Sequence, residues 1–382
     1  MPENAVIDQL QNFFPSSRKE DWARTARAEL GGKDPFDIKS WSIPDGLTFQ
    51  PYYDITDIPS SGIRNNFQLS PSVNSFLGAR SWYNMPVIAV SDDLNANMKA
   101  LEHLSLGADG IVFDVRQRTN VNFHVLLNKL EWPHCSLSFF FPNHNEWIEQ
   151  LTAYTNEKNY KASELEGAFF WESFPQISDQ LISSLQNCLK INSLGVMVRS
   201  SSPIQEIADG LTSAVQYVDE LTDHQLDTEK MLRSISFSVP VGNNFLMEAA
   251  KLKSLRMLWF QVVQAYGIQN YRPDDLHIHA RSEVWINQAF QPHGNMLKAT
   301  LASMASVTGG CNALSVLAED ENTAMMVRIA RNLSGILRGE SYFDKVADPL
   351  AGAYAVENMV SELAEKSWEK FKMNIRLMDA KQ

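Results

Sequence analysis

Short apolar runs recur along the chain from about residue 84, and segments with helical periodicity separate them. Eight runs have the length and composition of buried strands: 86–90, 110–113, 136–141, 167–171, 194–198, 235–239, 276–279 and 313–317. The intervening segments, such as LNANMKALEHL and IQEIADGLTSAV, repeat apolar residues at helical spacing. Strands that alternate with amphipathic helices predict βα units in a parallel sheet.

Eight βα units favour one α/β fold, the (β/α)8 TIM barrel. They lie between residues 84 and 318, and such barrels typically need about 250 residues. A doubly wound open sheet is the alternative. That fold usually has fewer strands and a glycine-rich first turn, and no GxGxxG follows any of these runs.

Residues 1–60 differ from the barrel and are predicted to form an arm of helical and extended segments. AVIDQLQNFF predicts a first helix, and the second begins at Ser17 as N-cap and stops at Gly31-Gly32. The stretch after it is rich in prolines, turn residues and aromatic side chains, namely Trp41, Phe49, Tyr52 and Tyr53. These aromatic rings must be covered either by the chain's own barrel or by a partner chain.

The second predicted domain, residues 61–382, comprises the barrel and helices that follow it. After the eighth strand the sequence is largely helical, and DKVADPLAGAY separates two helices. Asp348-Pro349 and Gly352 within that segment favour a turn.

Composition and charge narrow the functional classes. The chain is 44% hydrophobic with a net charge of −12, which disfavours a nucleic-acid surface. Three widely spaced cysteines suggest reduced thiols and no metal site. No secretory leader and no run of 18 apolar residues is present, so the expectation is a cytoplasmic protein without a membrane span.

The carboxyl ends of the predicted strands carry few groups with obvious chemistry. His279 with Glu283 could form an acid–base pair, and His277 with His279 and a carboxylate could bind a metal. A histidine on a strand is more often a hydrogen-bonded core residue. GxSxG and HExxH are both absent, so no nucleophile–base set can be assembled from the sequence.

Several blocks in residues 245–360 resemble the methylmalonyl-CoA mutase family of adenosylcobalamin-dependent acyl-CoA mutases. They are FLMEAAKLKSLRMLW, HIHARSEVWINQAFQPHGNMLKATLASMASVTGGCNAL, VRIARN and KVADPLAGAYAVE, in that order. The arm DWARTARAELGGKDPFDIKSWSIPDGLTFQPYY is similar to the N-terminal segment of small, or beta, subunits of heterodimeric members. The resemblance implies a barrel that encloses the pantetheine arm of a CoA ester along its axis.

The resemblance also implies where the cofactor should be. Active members carry a C-terminal cobalamin-binding domain with a DxHxxG signature, whose histidine ligates cobalt. The sequence ends at Gln382, and its nearest match, residues 275–280, lacks the glycine and lies on strand seven. The expectation is that this chain binds no cofactor itself and that adenosylcobalamin sits on a partner subunit.

The barrel mouth departs from the family pattern at several positions. The Tyr-His pair of active members falls on Ser202 and Pro203, although Gln205-Glu206 keep the register. On strand seven, residues 277–284 align with the family motif RxHxQTSG. Arg281 takes the place of the motif's glutamine. No catalytic residue is therefore predicted. The residues proposed for residual substrate binding are Arg199, His279, Arg281 and Asn295.

Three functional hypotheses follow from the resemblance. The first is a small, non-catalytic subunit of a methylmalonyl-CoA mutase, with a large (alpha) subunit that interconverts methylmalonyl-CoA and succinyl-CoA. The second is an active barrel that works with a separate cobalamin-binding chain on another acyl-CoA. The third is a degenerate barrel that still binds a CoA ester as a regulator.

Overall fold

The computed structural model describes residues 18–42, 46–57, 69–71, 78–143, 146–188, 191–224, 226–283 and 293–380. The strands are β1 (Trp41–Ser42), β2 (Thr48–Phe49), β3 (Tyr83–Asn84), β4 (Val87–Ala89), β5 (Gly110–Asp114), β6 (Ser136–Phe141), β7 (Ala168–Trp171), β8 (Asn192–Met197), β9 (Ile235–Pro240), β10 (His277–Arg281) and β11 (Ala313–Ser315). Each of the eight apolar runs overlaps one of the strands β4 to β11, so the predicted strands are confirmed.

Helices follow the strands, as predicted for βα units. They are α1 (Lys19–Glu29), α2 (Pro35–Lys39), α3 (Asp93–Ser105), α4 (Phe123–Leu126), α5 (Glu146–Glu157), α6 (Asp179–Cys188), α7 (Pro203–Thr222), α8 (Thr228–Ser234), α9 (Phe245–Ala265), α10 (Gly294–Thr308), α11 (Ala324–Gly339) and α12 (Tyr354–Asp379). Short 3₁₀ turns lie at Ile55–Asp57, Trp132–His134, Ala162–Glu164 and Pro273–Asp275.

The first barrel strand consists of β3 and β4, and it closes the sheet because these two halves pair with different strands. β3 pairs with β11 and β4 pairs with β5, and all pairings in this sheet are parallel. Met85 N donates to Leu314 O at 2.9 Å, and Pro86 O accepts from Val112 N at 3.0 Å. Residues 83–89 thus form one strand interrupted at a proline. The (β/α)8 barrel is confirmed.

Alternation along the strands separates two hydrophobic clusters. Outward side chains such as Phe139 and Phe237 belong to the large cluster beneath the helices. Inward side chains form a second cluster: Met85, Val112, Phe140, Ala168, Phe170, Met197 and Ala313. Successive residues of a strand point to opposite faces, so the same apolar runs supply both the helix-facing core and the barrel axis.

The described part of the arm packs on its own chain. Leu47 and Phe49 are fully buried in the main core, and Lys366 Nζ on α12 donates to Gly46 O at 2.7 Å. Phe49 is therefore covered by the chain's own barrel, which was one of the two predicted alternatives. Trp41 stays 36% exposed.

The beginning of the arm differs in detail from the sequence-based prediction. Arg18, and not Ser17, is the N-cap of α1, and Asp21 supplies the reciprocal capping contact. The predicted stop is confirmed because Gly31 adopts a φ of +65°, which favours glycine. The first predicted helix, residues 5–14, lies outside the described residues, as does Ser17.

The segment between the last two helices is also as predicted. α11 ends at Gly339 and α12 begins at Tyr354, with Gly352 at a φ of +78° between them. Asp348 in this segment accepts two hydrogen bonds from Lys253 Nζ of α9, at 2.7 and 2.6 Å. The turn is thereby fixed to the helix that packs against α12.

Candidate functional site

The barrel axis is closed by side chains from opposite sides of the ring. The Phe140 ring of β6 lies 5.8 Å from the His279 ring of β10, centroid to centroid. The Phe170 ring of β7 stacks on His279 at 5.3 Å and contacts Phe140 at 5.8 Å. β6 and β10 are four strands apart in the sheet order. Direct contact between them means that the axis is occupied by protein at this level.

A glycine makes room for this packing. A Cβ on Gly195 of β8 would stand 2.5 Å from Phe169 O and 2.6 Å from the Phe170 ring. Both distances are shorter than non-bonded atoms allow. Gly195 therefore lets Phe170 turn into the axis.

His279 is a structural core residue in this arrangement. Its side chain is 1% exposed. Nδ1 lies 2.9 Å from Ser238 Oγ and Nε2 lies 2.7 Å from Ser315 Oγ, so both ring nitrogens are used. Burial, followed by the charge of Arg281, holds the pKa of His279 well below its usual value. It makes no contact with Glu283, so the proposed acid–base pair is not formed.

We expect His279 to make the protein less stable in acid. Its pKa is depressed in the folded state, so below about pH 6.5 the unfolded state binds a proton that the folded state does not. The free energy of unfolding should fall as pH decreases, by about 1.4 kcal/mol per pH unit for this group. Urea unfolding of the wild type and of His279→Gln between pH 7.5 and 5 measures the difference. Parallel pH dependences in the two proteins would contradict this assignment.

An ion pair covers the filled axis at the mouth. Arg116 binds Asp114 through Nε at 2.9 Å and Nη2 at 2.7 Å. The Arg116 guanidinium lies 5.6 Å from the Phe140 ring, and its Nη1 contacts Met197 Sδ at 3.5 Å. Cation–π contact and bidentate pairing fix this arginine in place. It therefore closes the axis above the aromatic side chains.

The four residues proposed for substrate binding do not come together as a site. Arg281 donates to Val198 O and is mostly buried, and burial lowers its pKa. Arg199 is exposed. Asn295 is buried in the first turn of α10, next to Leu317 at the back of the eighth strand. Of the set, only His279 and Arg281 are on the strand that faces the axis.

Ser202 and Pro203 occupy the start of a helix. Ser202 is the N-cap of α7, and Pro203 is its first residue. Ser202 O accepts from Glu206 N at 2.9 Å. A proline at this position has a suitable φ and needs no donor. The two residues therefore form a helix start and supply no ring that could donate to a thioester oxygen.

A buried charge cluster, Glu206, Lys251 and Glu248, lies behind this helix start. Lys251 Nζ is 2.6 Å from Glu206 Oε2, 2.5 Å from Glu248 Oε2 and 2.7 Å from Pro240 O. Burial raises the pKa of Glu206. The two carboxylates outweigh the effect of burial on Lys251 and raise its pKa. The cluster ties α7 and α9 to the end of β9.

Another buried cation on α9 stabilises the other end of the barrel. Arg256 donates to the carbonyl oxygens of Pro273, Leu276 and Gly310 at 2.8, 2.6 and 2.8 Å. Burial lowers the pKa of this arginine to about 10. The three buried cations of α9, Lys251, Lys253 and Arg256, were not predicted from the sequence. The signal was there in AAKLKSLRMLW, a helix that places Lys251 and Arg256 among apolar residues on every face.

The described residues do not fit a cobalamin or a metal ion at the barrel mouth. His279 has no free nitrogen, and the axis beneath Arg116 is filled. No group of three or more His, Cys, Asp or Glu side chains within the described ranges is placed to hold a metal. Nor does any described helix have both the length and the apolar character to cross a membrane.

Fold and site together define a parallel (β/α)8 barrel whose axis is packed with side chains of its own. The sequence model of the methylmalonyl-CoA mutase family matches residues 180–376, more than half of the chain. The chain belongs to the methylmalonyl-CoA mutase family.

Individual relatives extend the similarity to the N-terminal half. The methylmalonyl-CoA mutase small subunit of Porphyromonas gingivalis is 27% identical over 401 residues, covering 95% of this chain and 64% of that protein. The small subunit of Streptomyces virginiae is 32% identical over 188 residues, covering 48% and 30%. The large subunit of Porphyromonas gingivalis is 29% identical over 212 residues, covering 52% and 30%. The chain thus spans less than two thirds of these relatives.

Proposed function

We propose that this chain is the small, non-catalytic subunit of an adenosylcobalamin-dependent methylmalonyl-CoA mutase. A large subunit would carry the cofactor and interconvert methylmalonyl-CoA and succinyl-CoA. The contact of Phe140 with His279 across the barrel axis carries the proposal. A thioester threaded along the axis would need the space that these rings occupy.

The chemistry at the mouth supports the same conclusion. Acyl-CoA rearrangement needs a dry cavity and a donor aimed at the thioester oxygen. Here the end of β8 leads to Ser202-Pro203 at a helix start, and the nearest axial histidine has both nitrogens bonded to serines. Adenosylcobalamin, when bound by the partner, supplies the radical chemistry. The residues of this chain would stabilise the assembly.

A partner interface is proposed for the arm, residues 1–60. The described arm is anchored by Leu47 and Phe49, which belong to the main core, and by Gly46 O, which accepts from Lys366 of α12. Ile38, Trp41 and Ile55 of the described arm are exposed, at 44%, 36% and 68%. Exposed apolar side chains on a well-anchored segment favour contact with another protein. The small-subunit names of similar proteins, and a large-subunit relative, support a heterodimer.

The filled axis also weighs against the other two hypotheses. An active barrel with a separate cobalamin chain, and a regulator that binds a CoA ester, both need an open axis. Opening it would require Phe140, Phe170 and Met197 to leave positions that are at least 92% buried.

We expect the chain alone to bind no CoA ester along its axis, because the axis is packed. To exclude binding at the separate cleft that contains Arg331, calorimetry is carried out on Arg331→Met, where succinyl-CoA and methylmalonyl-CoA should give no saturable heat up to millimolar ligand. Mixed with the large subunit, the chain should co-elute as a heterodimer and increase the thermal stability of the mutase. Saturable CoA-ester binding by that variant alone, or a large subunit equally active and stable without the small one, would overturn the proposal.

A further inference from the structure

A cleft of about 410 Å³ opens in the barrel wall. Its floor is β4 together with residues 316–318, which follow β11. Its sides are α3 and α11. β3 pairs with β11, but the described residues of β4 pair only with β5. The first and last strands therefore part beyond Met85, and the cleft lies over this gap.

One polar group that lines the cleft is the side chain of Arg331. Arg331 of α11 is 8% exposed. Its Nε is buried and has no hydrogen-bond partner among the described residues. No described carboxylate lies within ion-pair distance of its guanidinium. Its backbone is fixed, since Arg331 O accepts from Asn84 Nδ2 at 2.9 Å. A buried guanidinium without a counter-charge is costly, which points to an anion that belongs there.

Other groups in the cleft support an anion. Lys99 and Arg328 are exposed at its rim, and neither forms an ion pair within the described part of the chain. His103 also lines the cleft, and its Nδ1 is buried without a hydrogen-bond partner in the described structure. Burial, followed by the charge of Arg331, lowers the pKa of His103. Two carboxylates, Glu102 and Glu321, are also exposed at the rim, so the three cations of the lining exceed its carboxylates by one.

The rest of the lining is apolar. Val87, Ala89 and Val316 of the floor and Val327 of the α11 side are apolar and surround the charged groups. A volume of this size is in the range of small-molecule sites, which combine apolar walls with a few polar groups. A bare inorganic ion would leave these apolar side chains exposed to water. The lining therefore fits a small organic anion with an apolar body.

We propose that the cleft between α3 and α11 binds a small organic anion, whose carboxylate or phosphate pairs with Arg331 and whose apolar body lies on β4 and residues 316–318. Guanidinium groups pair well with either anion. The proposal does not depend on the proposed subunit role, because the positively charged groups of the cleft lie on α3 and α11 and not on the axis-facing strands.

Calorimetry with the full chain tests the proposal, with benzoate and phenyl phosphate as the two anions. Both should bind saturably, or one should bind at least threefold more tightly and so identify the class. Benzyl alcohol and inorganic phosphate should bind at least about tenfold more weakly, because each lacks one half of the ligand. Equal affinity for benzyl alcohol, or no saturable binding of either anion, would overturn the proposal.

Variants localise the binding. Arg331→Met should weaken anion affinity about tenfold or more. Arg376→Met removes one exposed charge from α12 and should change affinity less than twofold. If Arg331→Met does not fold, Lys99→Gln with Arg328→Gln alters only exposed rim residues and should weaken binding about threefold. Unchanged affinity in the folded variants would contradict the site.

Proton NMR of His103 gives a second readout. Anion binding beside Arg331 should raise the pKa of His103, because it offsets the positive charge that lowers it. The shift should saturate with the same affinity as the heat. A His103 titration unaffected by either anion would place any bound anion elsewhere.

Discussion

Replacing Lys251 by methionine should lower the free energy of unfolding by about 3–5 kcal/mol. Lys251 Nζ lies within 2.6 Å of both the Glu206 and Glu248 carboxylates, and the three side chains are 2%, 5% and 10% exposed. Methionine fills similar volume but leaves two buried carboxylates without a cation. Urea unfolding at pH 7 measures the loss.

A matched control for Lys251→Met is Lys161→Met. Lys161 forms an i,i+3 pair with Glu164 at 3.1 Å, with exposed fractions of 76% and 46%. That change should cost less than about 0.5 kcal/mol. The deficit of Lys251→Met should also shrink as pH falls toward 5, because the buried carboxylates can then take up protons. Equal losses in the two variants, or a deficit independent of pH, would contradict the role of the buried cluster.

Truncating Phe170 to alanine should cost about 3–5 kcal/mol. The ring is fully buried at the barrel axis, stacks on His279 and contacts Phe140. Neighbours on rigid strands cannot collapse into the space that is left, so most of the cavity should remain. Thermal and urea unfolding of Phe170→Ala give the change.

Phe174→Ala is the control for this prediction. Phe174 follows the same strand, is only partly buried, and stacks on Tyr217 at 4.3 Å. Its loss should cost less than half as much, because solvent can fill the site. If both variants lose the same stability, the axial aromatic residues do not form the tightly packed plug described above.

Much of the fold could be predicted from local sequence patterns. Short β-rich runs such as SLSFFF alternate with long amphipathic helices, and this alternation depends on neighbouring residues alone. The ends of the strands were predicted less accurately than their positions. The tenth strand runs from His277 to Arg281, two residues beyond the predicted end, because backbone pairing with β9 and β11 continues past the apolar residues.

The candidate site was harder to predict. Four residues are predicted to lie at the mouth. Asn295, however, is buried behind β11, and Arg199 is exposed. Sequence position after a strand places a residue near the mouth but does not fix where its side chain points. The buried partners of Lys251, and the lack of a partner for Arg331 Nε among the described residues, depend on helices that meet only in the folded barrel.

The sequence by itself determined the eight strands, the alternation of their faces and the absence of a Tyr-His pair at residues 202–203. Only the tertiary structure decided that the axis is filled. Phe140 and His279 are 139 positions apart in the chain, and their contact exists because the ring of strands closes. A period of two assigns residues to a face, but the space left inside that face depends on the size and tilt of every side chain around the ring.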